Sequence, residues 1–319
     1  MNEETGAGKP GSGQNIFAQN EPTAGNLLQW AVSYVQENYL KGEPDKITCR
    51  LEAEILLAHV LKLSRTKLLA ELGQGVAGDR AEGFRRLVKR RAGGYPLQYL
   101  TGVQNFMSLD FVVAEGVLIP RNDTEVLVEQ AIELLKKMEL PVLLVADICT
   151  GSGAIGLSIA HYVPNAWMFL TDISDKAIAI ATENRNRLGL ENRVAMVEGE
   201  LLEPLEQWVV SAGAEARLDM IVSNPPYIST EGWQLVEPGV VEYEPRLALD
   251  GGADGLVFYR QLIPGVLPFL KPGGYLLLEI GYDQGDAVQS LFQQAGAYEA
   301  IRVVKDYGGR DRVVMGRKK

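Results

Sequence analysis

The chain has few of the residues from which metal centres and disulfide scaffolds are built. It contains only two cysteines, Cys49 and Cys149, and two histidines, His59 and His161, among 319 residues. The cysteines are far apart and lack CxxC spacing, so neither a disulfide scaffold nor a zinc site is predicted. Both histidines fall in helical patterns and are interpreted as packing or surface residues. We therefore expect no metal in this protein.

The sequence also lacks a long apolar run and an excess of basic residues. No stretch of 18 apolar residues occurs, and no basic segment followed by an apolar one stands at the start. We therefore expect a cytoplasmic protein without membrane contact. The 31 Lys and Arg residues against 41 Asp and Glu give a net charge of −10. Because nucleic acid binding needs clustered positive charge, sequence-specific binding of DNA or RNA is not expected.

Hydrophobicity and periodicity predict a large α/β domain that follows a small helical one. Hydrophobic residues make up 46% of the chain, enough for a substantial core. Residues 1–22 are rich in Gly, Asn, Gln and Pro and are predicted to be a disordered tail. Helical periodicity over residues 23–94 predicts a helical bundle, and residues 95–119 are predicted to form a β-hairpin connector. Over residues 120–319 strands alternate with helices, which predicts a mainly parallel sheet covered on both faces.

Seven strands are predicted for this sheet. Their expected positions are residues 143–147, 167–171, 193–197, 218–223, 274–280, 298–304 and 311–316. A tight turn, Asp306–Gly309, joins the last two strands, so one of them is expected to run antiparallel to the others.

The most informative segment follows a short apolar run and reads Asn224-Pro225-Pro226-Tyr227. In open α/β sheets, ligands bind at the carboxyl ends of the strands. Asn224 offers a side-chain carbonyl oxygen, and Pro225 offers a backbone carbonyl while lacking an N–H. Two adjacent acceptors suit a planar –NH₂ group, over which the ring of Tyr227 can lie. The alternative is a Pro-Pro turn that only caps the strand.

A glycine-rich turn lies about 75 residues upstream, between a predicted strand and a predicted helix, and reads Cys149-Thr150-Gly151-Ser152-Gly153. Glycine tolerates positive φ and lets a ligand approach the backbone. The spacing is neither the GxGxxG fingerprint nor a phosphate-binding loop. The next predicted strand ends in Asp172, about 20 residues beyond, where an acidic residue commonly binds both hydroxyls of a ribose. Together these features indicate a nucleotide-like cofactor.

This combination resembles the class I S-adenosylmethionine-dependent methyltransferases that methylate an amino group on a planar system. Other segments are similar to the glutamine methyltransferases of peptide chain release factors, the HemK/PrmC family. These segments are Arg91–Gly102, Leu118–Glu125, Lys271–Gly274, Glu279–Gly281 and Asp306–Gly308. Asn122 departs from the family pattern, which usually has proline there, and this change is expected to alter local stiffness more than chemistry.

The resemblance implies a Rossmann-like methyltransferase sheet, S-adenosylmethionine as the cofactor, and roles for individual residues. The glycine turn is expected to lie against the methionine part of the cofactor, and Asp172 to bind its ribose. Glu200 and Leu201 are expected to hold the adenine, unless they form only a surface loop. Phe106 is expected to close the pocket from the connector. Asn224, Pro225, Pro226 and Tyr227 are expected to bind the substrate, and Asn224 also to contact the cofactor. Catalytic roles are expected for Asn224, Pro225 and Tyr227.

Three functions are compatible with these residues. The first is methylation of the glutamine amide nitrogen in the Gly-Gly-Gln (GGQ) motif of class I release factors, by a protein expected to be a monomer. The second is methylation of an exocyclic base nitrogen in DNA or RNA, which would require a basic groove or a recognition insertion. The third is a non-catalytic binding module, in which the glycines, Asp172 or Asn224 would be replaced by other residues. The acidic charge and the intact motifs favour the first.

A basic cluster on the last predicted helix of the bundle generates a prediction. Its members are Arg85, Arg86, Lys89, Arg90 and Arg91. They form either a solvated helix face or a contact for the protein substrate. If the cluster is a contact, charge reversal at Arg86 and Arg90 weakens methylation of the release factor because electrostatic complementarity is lost. Cofactor affinity, measured by calorimetry, stays unchanged. Equal loss of both would indicate a folding defect, and full activity would remove this helix from the interface.

Overall fold

The computed structural model describes residues 21–39, 45–213, 216–236 and 238–319. Apart from residues 21 and 22, the predicted disordered tail lies outside the described residues. The chain divides into two compact units, Met1–Thr101 and Gly102–Lys319. Within the described residues, no helix combines the length and the apolar character needed to span a bilayer.

The described part of the first unit is helical. Its helices are α1 (Ala24–Asn38), α2 (Lys46–Leu61), α3 (Arg65–Ala70), α4 (Gly78–Ala92) and α5 (Leu97–Thr101). Thr23, Asp45 and Ser64 cap the first three helices by accepting backbone N–H bonds, which satisfies donors left unpaired at a helix start. The helical unit extends beyond the predicted boundary at residue 94, because a further helical turn follows the Gly93-Gly94 break.

The basic cluster is not one uniform solvated face. Arg91 is largely buried and makes two hydrogen bonds of 2.8 Å to the carboxylate of Glu52. The guanidinium of Arg90 lies 3.8 Å from the ring centre of Tyr95, a cation–π contact. Arg86 is exposed. A substitution at Arg86 is therefore less coupled to the packing of this unit than one at Arg90 or Arg91.

The second unit begins with a two-stranded hairpin and continues into a seven-stranded sheet. The hairpin is β1 (Val103–Phe106) and β2 (Leu109–Val112), joined through Met107 and Ser108, whose φ angles of 51° and 60° suit a tight two-residue turn. The sheet strands are β3 (Leu143–Ile148), β4 (Ala166–Asp172), β5 (Val194–Glu198), β6 (Leu218–Ser223), β7 (Leu270–Glu279), β8 (Tyr298–Lys305) and β9 (Asp311–Lys318).

The sheet order is β5-β4-β3-β6-β7-β9-β8, with parallel pairing from β5 to β7 and an antiparallel β9. The predicted fold class is confirmed, as is the antiparallel member of the last strand pair. Strand β7 starts at Leu270, earlier than the predicted residue 274, and an irregularity in its pairing with β6 accommodates the Lys271–Gly274 segment. After β5 the chain returns to the other side of β3, so a topological switch point lies between β3 and β6.

Helices cover both faces of the sheet. The helices of this unit are α6 (Glu125–Lys137), α7 (Ala154–Tyr162), α8 (Asp175–Arg187), α9 (Glu203–Ala212), α10 (Pro238–Tyr243), α11 (Val257–Gly265) and α12 (Gly285–Ala295). One apolar core contains buried residues of α6 and α7, and the other contains buried residues of α11 and α12. Every residue of β6 is buried, as expected for a central parallel strand.

A close contact between α7 and β4 generates a stability prediction. A Cβ on Gly156 would lie 2.7 Å from Cδ1 of Leu170 and 3.0 Å from Oδ2 of Asp147. We expect Gly156→Ala to lower the free energy of unfolding by about 1–3 kcal/mol, because overpacking outweighs the gain in helix propensity. Urea denaturation measures this change.

The matched control is Gly73→Ala, where an added Cβ would meet no atom within 4 Å. This substitution is expected to be neutral or slightly stabilising, since it mainly restricts the unfolded chain. Equal stability of the two variants would contradict the close packing of α7 on the sheet.

Candidate functional site

A cleft opens at the switch point, along the carboxyl edge of the sheet. Its walls are the turns that follow β3, β4, β5 and β6, together with the segment before α6 and part of the chain after β6. Nine of the predicted site residues line it: Cys149, Thr150, Gly151, Ser152, Asp172, Glu200, Leu201, Asn224 and Pro226. The topology thus brings together residues that lie up to 77 positions apart in the sequence, from Cys149 to Pro226.

Four other predicted site residues do not line the cleft. Gly153 begins α7 with a φ of 81° and packs closely on Leu157. Pro225 is buried, and Tyr227 packs against the core around α11. The roles proposed for the Pro225 carbonyl and the Tyr227 ring stay predictions.

Phe106 requires a correction. It is fully buried, and its ring lies edge-on to that of Phe111 at a centroid distance of 6.0 Å. The tight hairpin turn directs Phe106 into the apolar core of the unit. Phe106 therefore does not close the cleft in this structure.

The glycine turn is held by a buried carboxyl group beneath it. Oδ2 of Asp147 accepts hydrogen bonds from the Thr150 hydroxyl at 2.6 Å and from the Gly156 N–H at 2.9 Å. Asp147 is fully buried, and burial raises its pKa to about 7. Its other oxygen, Oδ1, has no hydrogen-bond partner among the described residues. Asp147 thus fixes the turn from inside the protein, as a support that the sequence analysis did not identify.

The exposed side of the turn is bare backbone. Gly151 has a φ of 57°, and a Cβ at this position would meet no atom within 4 Å. Cys149 adopts a φ of 60°, an uncommon conformation for a residue with a side chain. Burial, with Asp172 and Asp147 adding to the effect, raises the pKa of the Cys149 thiol. The thiol is therefore protonated, which supports a packing role rather than a nucleophilic one.

Asp172 presents a carboxylate to the cleft at the end of β4. Its Oδ2 accepts the Gly151 N–H at 2.8 Å, and its Oδ1 accepts the Ser174 N–H at 2.9 Å. Burial raises the pKa of Asp172, and these backbone bonds oppose the rise. A carboxylate has about four acceptor positions, so two remain for ligand hydroxyls. This arrangement fits a vicinal diol such as that of a ribose.

The turn after β5 forms the neighbouring wall. Glu200 is exposed and Leu201 is half-buried, with a φ of 44° that marks a strained turn. Ile173, which the sequence analysis did not select, is half-exposed and also lines the cleft. In the sequence, Ile173 could have been found as the apolar residue that directly follows Asp172 at the end of a predicted strand. A flat aromatic group would find apolar side chains and one carboxylate here, so these residues fit an adenine ring.

Two further contacts hold the segment before α6, part of which lines the cleft. The carboxylate of Glu244 is hydrogen-bonded to the guanidinium of Arg121 and accepts the backbone N–H of Ile119 at 3.1 Å. Arg121 lines the cleft. Glu244 was not identified from the sequence, because its only signal was an acidic residue in a long loop.

A glycine-rich segment packs against the backbone of Tyr227. A Cβ on Gly251 would lie 2.7 Å from Cα of Tyr227, and a Cβ on Gly255 would lie 2.4 Å from its carbonyl oxygen. Nε2 of Gln284 donates a hydrogen bond to that same oxygen at 3.0 Å. The glycines between Gly251 and Gly255 are clustered in the sequence. This cluster could have predicted a close approach of two backbone segments.

The loop after Tyr227 is closed at its base. Ile228 and Asp250 form a bridge, in which the Ile228 N–H donates to the Leu249 carbonyl and the Gly251 N–H donates to the Ile228 carbonyl, both at 2.9 Å. Over the described residues, no group of three or more His, Cys, Asp and Glu side chains is arranged to hold a metal ion.

The chain is similar to characterised families over most of its length. Residues 26–102 match the PrmC N-terminal domain, and residues 124–253 match the methyltransferase small domain. A release factor glutamine methyltransferase of Moorella thermoacetica is 51% identical over 266 residues, covering 83% of this chain and 90% of the relative. The chain belongs to the release factor glutamine methyltransferases.

Other relatives agree with this family membership. A release factor glutamine methyltransferase of Geobacter sulfurreducens is 41% identical over 295 residues, which cover 92% of this chain and 96% of the relative. The resemblance stated from the motifs is therefore confirmed. The solved catalytic domain of hMettl16, in complex with MAT2A 3′UTR hairpin 6, covers 72% of this chain and 81% of that chain with a TM-score of 0.51. Its identity of 14% supports the shared fold alone.

The buried Asp147 generates a prediction for the pH dependence of stability in this family member. Its pKa is raised from 3.8 to about 7 in the folded state. A raised folded-state pKa contributes stability that is present at low pH and lost as the pH rises through the folded-state value. We expect Asp147→Asn to match the wild type in free energy of unfolding near pH 4 and to exceed it at pH 8.

Urea denaturation across this pH range measures the effect, with the exposed Asp175→Asn as the control. The control is expected to follow the wild type closely. If Asp147→Asn is less stable than the wild type at pH 8, the folded protein favours the ionised carboxylate, so the pKa of Asp147 is not raised and the pH argument fails.

Proposed function

We propose that this protein transfers a methyl group from S-adenosylmethionine to the side-chain amide nitrogen of the GGQ glutamine in class I release factors. The observation that carries the proposal is the position of Asn224. It lies at the carboxyl end of β6 and lines the same cleft as the glycine turn and Asp172. The names of the relatives support a release factor as the substrate.

The cleft has the features that S-adenosylmethionine requires. Asp172 has acceptor positions free for the ribose hydroxyls, and the bare backbone at Gly151 admits the methionine part. Ile173 and Leu201 offer apolar contact to the adenine, and Glu200 can accept from its amino group. When bound, the cofactor supplies an electrophilic methyl group on a sulfonium sulfur.

The chemical difficulty lies in the nucleophile. The lone pair of an amide nitrogen is delocalised into the carbonyl, so the nitrogen attacks poorly. The Asn224 side-chain oxygen and the Pro225 carbonyl accept the two N–H bonds of the glutamine amide. These bonds direct the nitrogen toward the methyl group and stabilise the positive charge that develops on it. The cationic nitrogen is strongly acidic after transfer, so its proton leaves without a dedicated base.

Recognition of a whole protein needs more surface than one glutamine provides. A specific interface usually buries about 800 Å² on each partner. We assign the grip on the release factor to the helical first unit, whose family match is separate from that of the methyltransferase unit. The acidic net charge of −10 and the names of the relatives do not support a nucleic acid substrate.

Transfer of a labelled methyl group tests the proposal. Purified release factor and mixed DNA and RNA are offered together, and the wild type is expected to label only the release factor. Replacement of the GGQ glutamine abolishes the label. Asn224→Ala lowers the rate about 100-fold or more, because one preorganised acceptor is lost.

The matched control is Asn186→Ala, an exposed asparagine on α8, which is expected to retain wild-type activity. Label on nucleic acid, or full activity of Asn224→Ala, would refute the proposal.

A further inference from the structure

A buried carboxyl group, that of Glu279, lies at the end of β7, the strand that pairs with β6. It belongs to the Glu279–Gly281 segment named from the sequence, but the proposed chemistry gives it no role. Ser223 of β6 pairs with Leu278 of β7 in parallel register, so Asn224 and Glu279 occupy the next positions at the same edge. Side chains alternate along strands, so those of Asn224 and Glu279 leave the sheet on the same face. Glu279 is 1% exposed.

The Glu279 carboxyl group is only partly engaged. Its Oε2 is buried and has no hydrogen-bond partner among the described residues. Its backbone carbonyl, by contrast, accepts the hydroxyl of Tyr259 at 2.8 Å, which fixes the main chain. A buried acceptor without a donor costs free energy, so its retention calls for an explanation.

The charged and titratable groups around Glu279 define its environment. Burial raises its pKa to about 7, and the side chains of Thr124, Arg312 and Asn224 oppose this rise. Asp123 adds to the rise. Burial raises the pKa of Tyr227 and of Tyr259, and the Glu279 carboxyl adds to both rises. Arg312 is buried and donates to Asp123 and Asp306 at 3.2 Å each. The Arg312 guanidinium is therefore held between the carboxylates of Asp123 and Asp306.

An asparagine amide has two ends of nearly equal size and opposite hydrogen-bonding character. Its neighbours decide whether the oxygen or the NH₂ faces a ligand. The proposed chemistry requires the oxygen of Asn224 to face the cleft, because the substrate amide donates. An ionised carboxylate only accepts hydrogen bonds, so it selects the NH₂ end of the asparagine.

We propose that Glu279 is a positioning residue, whose carboxylate accepts a hydrogen bond from the Asn224 NH₂ and thereby turns the Asn224 oxygen toward the substrate. The effect on turnover rests on the proposed function, whereas the orientation of Asn224 does not. A protonated Glu279 would carry a donor, compete for the Asn224 oxygen and favour the reverse orientation. Orientation is therefore lost as the pH falls below about 7.

Nuclear magnetic resonance of the Asn224 side-chain amide tests the orientation without any substrate. The resonances are assigned by their disappearance in Asn224→Ala. In the wild type they are expected to titrate with a midpoint near pH 7, and in Glu279→Gln the titration is absent. An unchanged titration in Glu279→Gln overturns the proposal.

Kinetics test the consequence for turnover. Glu279→Leu is expected to lower kcat about 100-fold, since the substrate acceptor is no longer held in place. Glu279→Gln keeps an acceptor but adds a competing donor, so a loss of about tenfold is expected. KM for the release factor and the Kd of S-adenosylmethionine stay unchanged for both variants. The low-pH decline of wild-type kcat is absent in Glu279→Gln.

A double-mutant cycle shows whether Glu279 acts through Asn224. In the Asn224→Ala background, Glu279→Leu is expected to cause no further loss, because the residue that it positions is missing. Full additivity of the two losses overturns the proposal. If the wild type does not methylate release factors at all, the proposed function fails, and the resonance experiment still decides the orientation of Asn224.

Stability separates a positioning role from a structural one. The raised pKa means that the ionised Glu279 lowers stability above about pH 7, so Glu279→Gln is at least as stable as the wild type at pH 8. Asp219→Asn is the matched control, a buried carboxylate near the opposite end of β6 that accepts from Leu144 and Lys271. It is expected to lower the Tm and leave kcat unchanged. Parallel loss of Tm and kcat in Glu279→Gln overturns the proposal.

Discussion

The site depends on one buried hydrogen-bonded carboxyl group, that of Asp147. Through a single oxygen it binds the Thr150 hydroxyl and the Gly156 N–H, and so joins the end of β3, the glycine turn and the start of α7. The turn can then expose bare backbone at Gly151. Because Asp147 stabilises the turn from inside the protein, no side chain on the cleft side is needed to hold the turn in place.

The remaining parts of the site follow from the parallel sheet. Strands β3, β4, β5 and β6 all end at one edge of the sheet. The residues that follow them therefore lie close together in the structure, although they are far apart in the sequence. Asn224 and Asp172 are held on opposite sides of the glycine turn by two different strands. The sheet thus separates cofactor binding from substrate orientation while keeping both within one cleft.

Sequence patterns were sufficient for most of the fold and for the residues at the strand ends. The runs in β3 and β6 are buried on both faces and therefore stand out as apolar segments. Phe106 was misplaced because a strand alternates between two faces, and only the tertiary structure shows which face is the core. Glu279 was named only within a family-like segment and given no role, because a single acid at the end of an apolar strand gives no indication of its burial, which depends on α11 and β9. The same holds for Glu244, which contacts a segment 123 positions away.

The bridge between Ile228 and Asp250 has an evolutionary consequence. It closes the base of the loop, so that the chain leaves and re-enters the sheet edge through one hydrogen-bonded neck. Gly251 and Gly255 secure this neck against Tyr227 independently of what the loop contains. Outside the stretch from Glu244 to Ala248, which shapes or lines the cleft, residues beyond the neck can therefore diverge, or change in number, while Asn224 keeps its place. In such an architecture, the preference for a binding partner can change during evolution while the position of Asn224 at the reaction site is preserved.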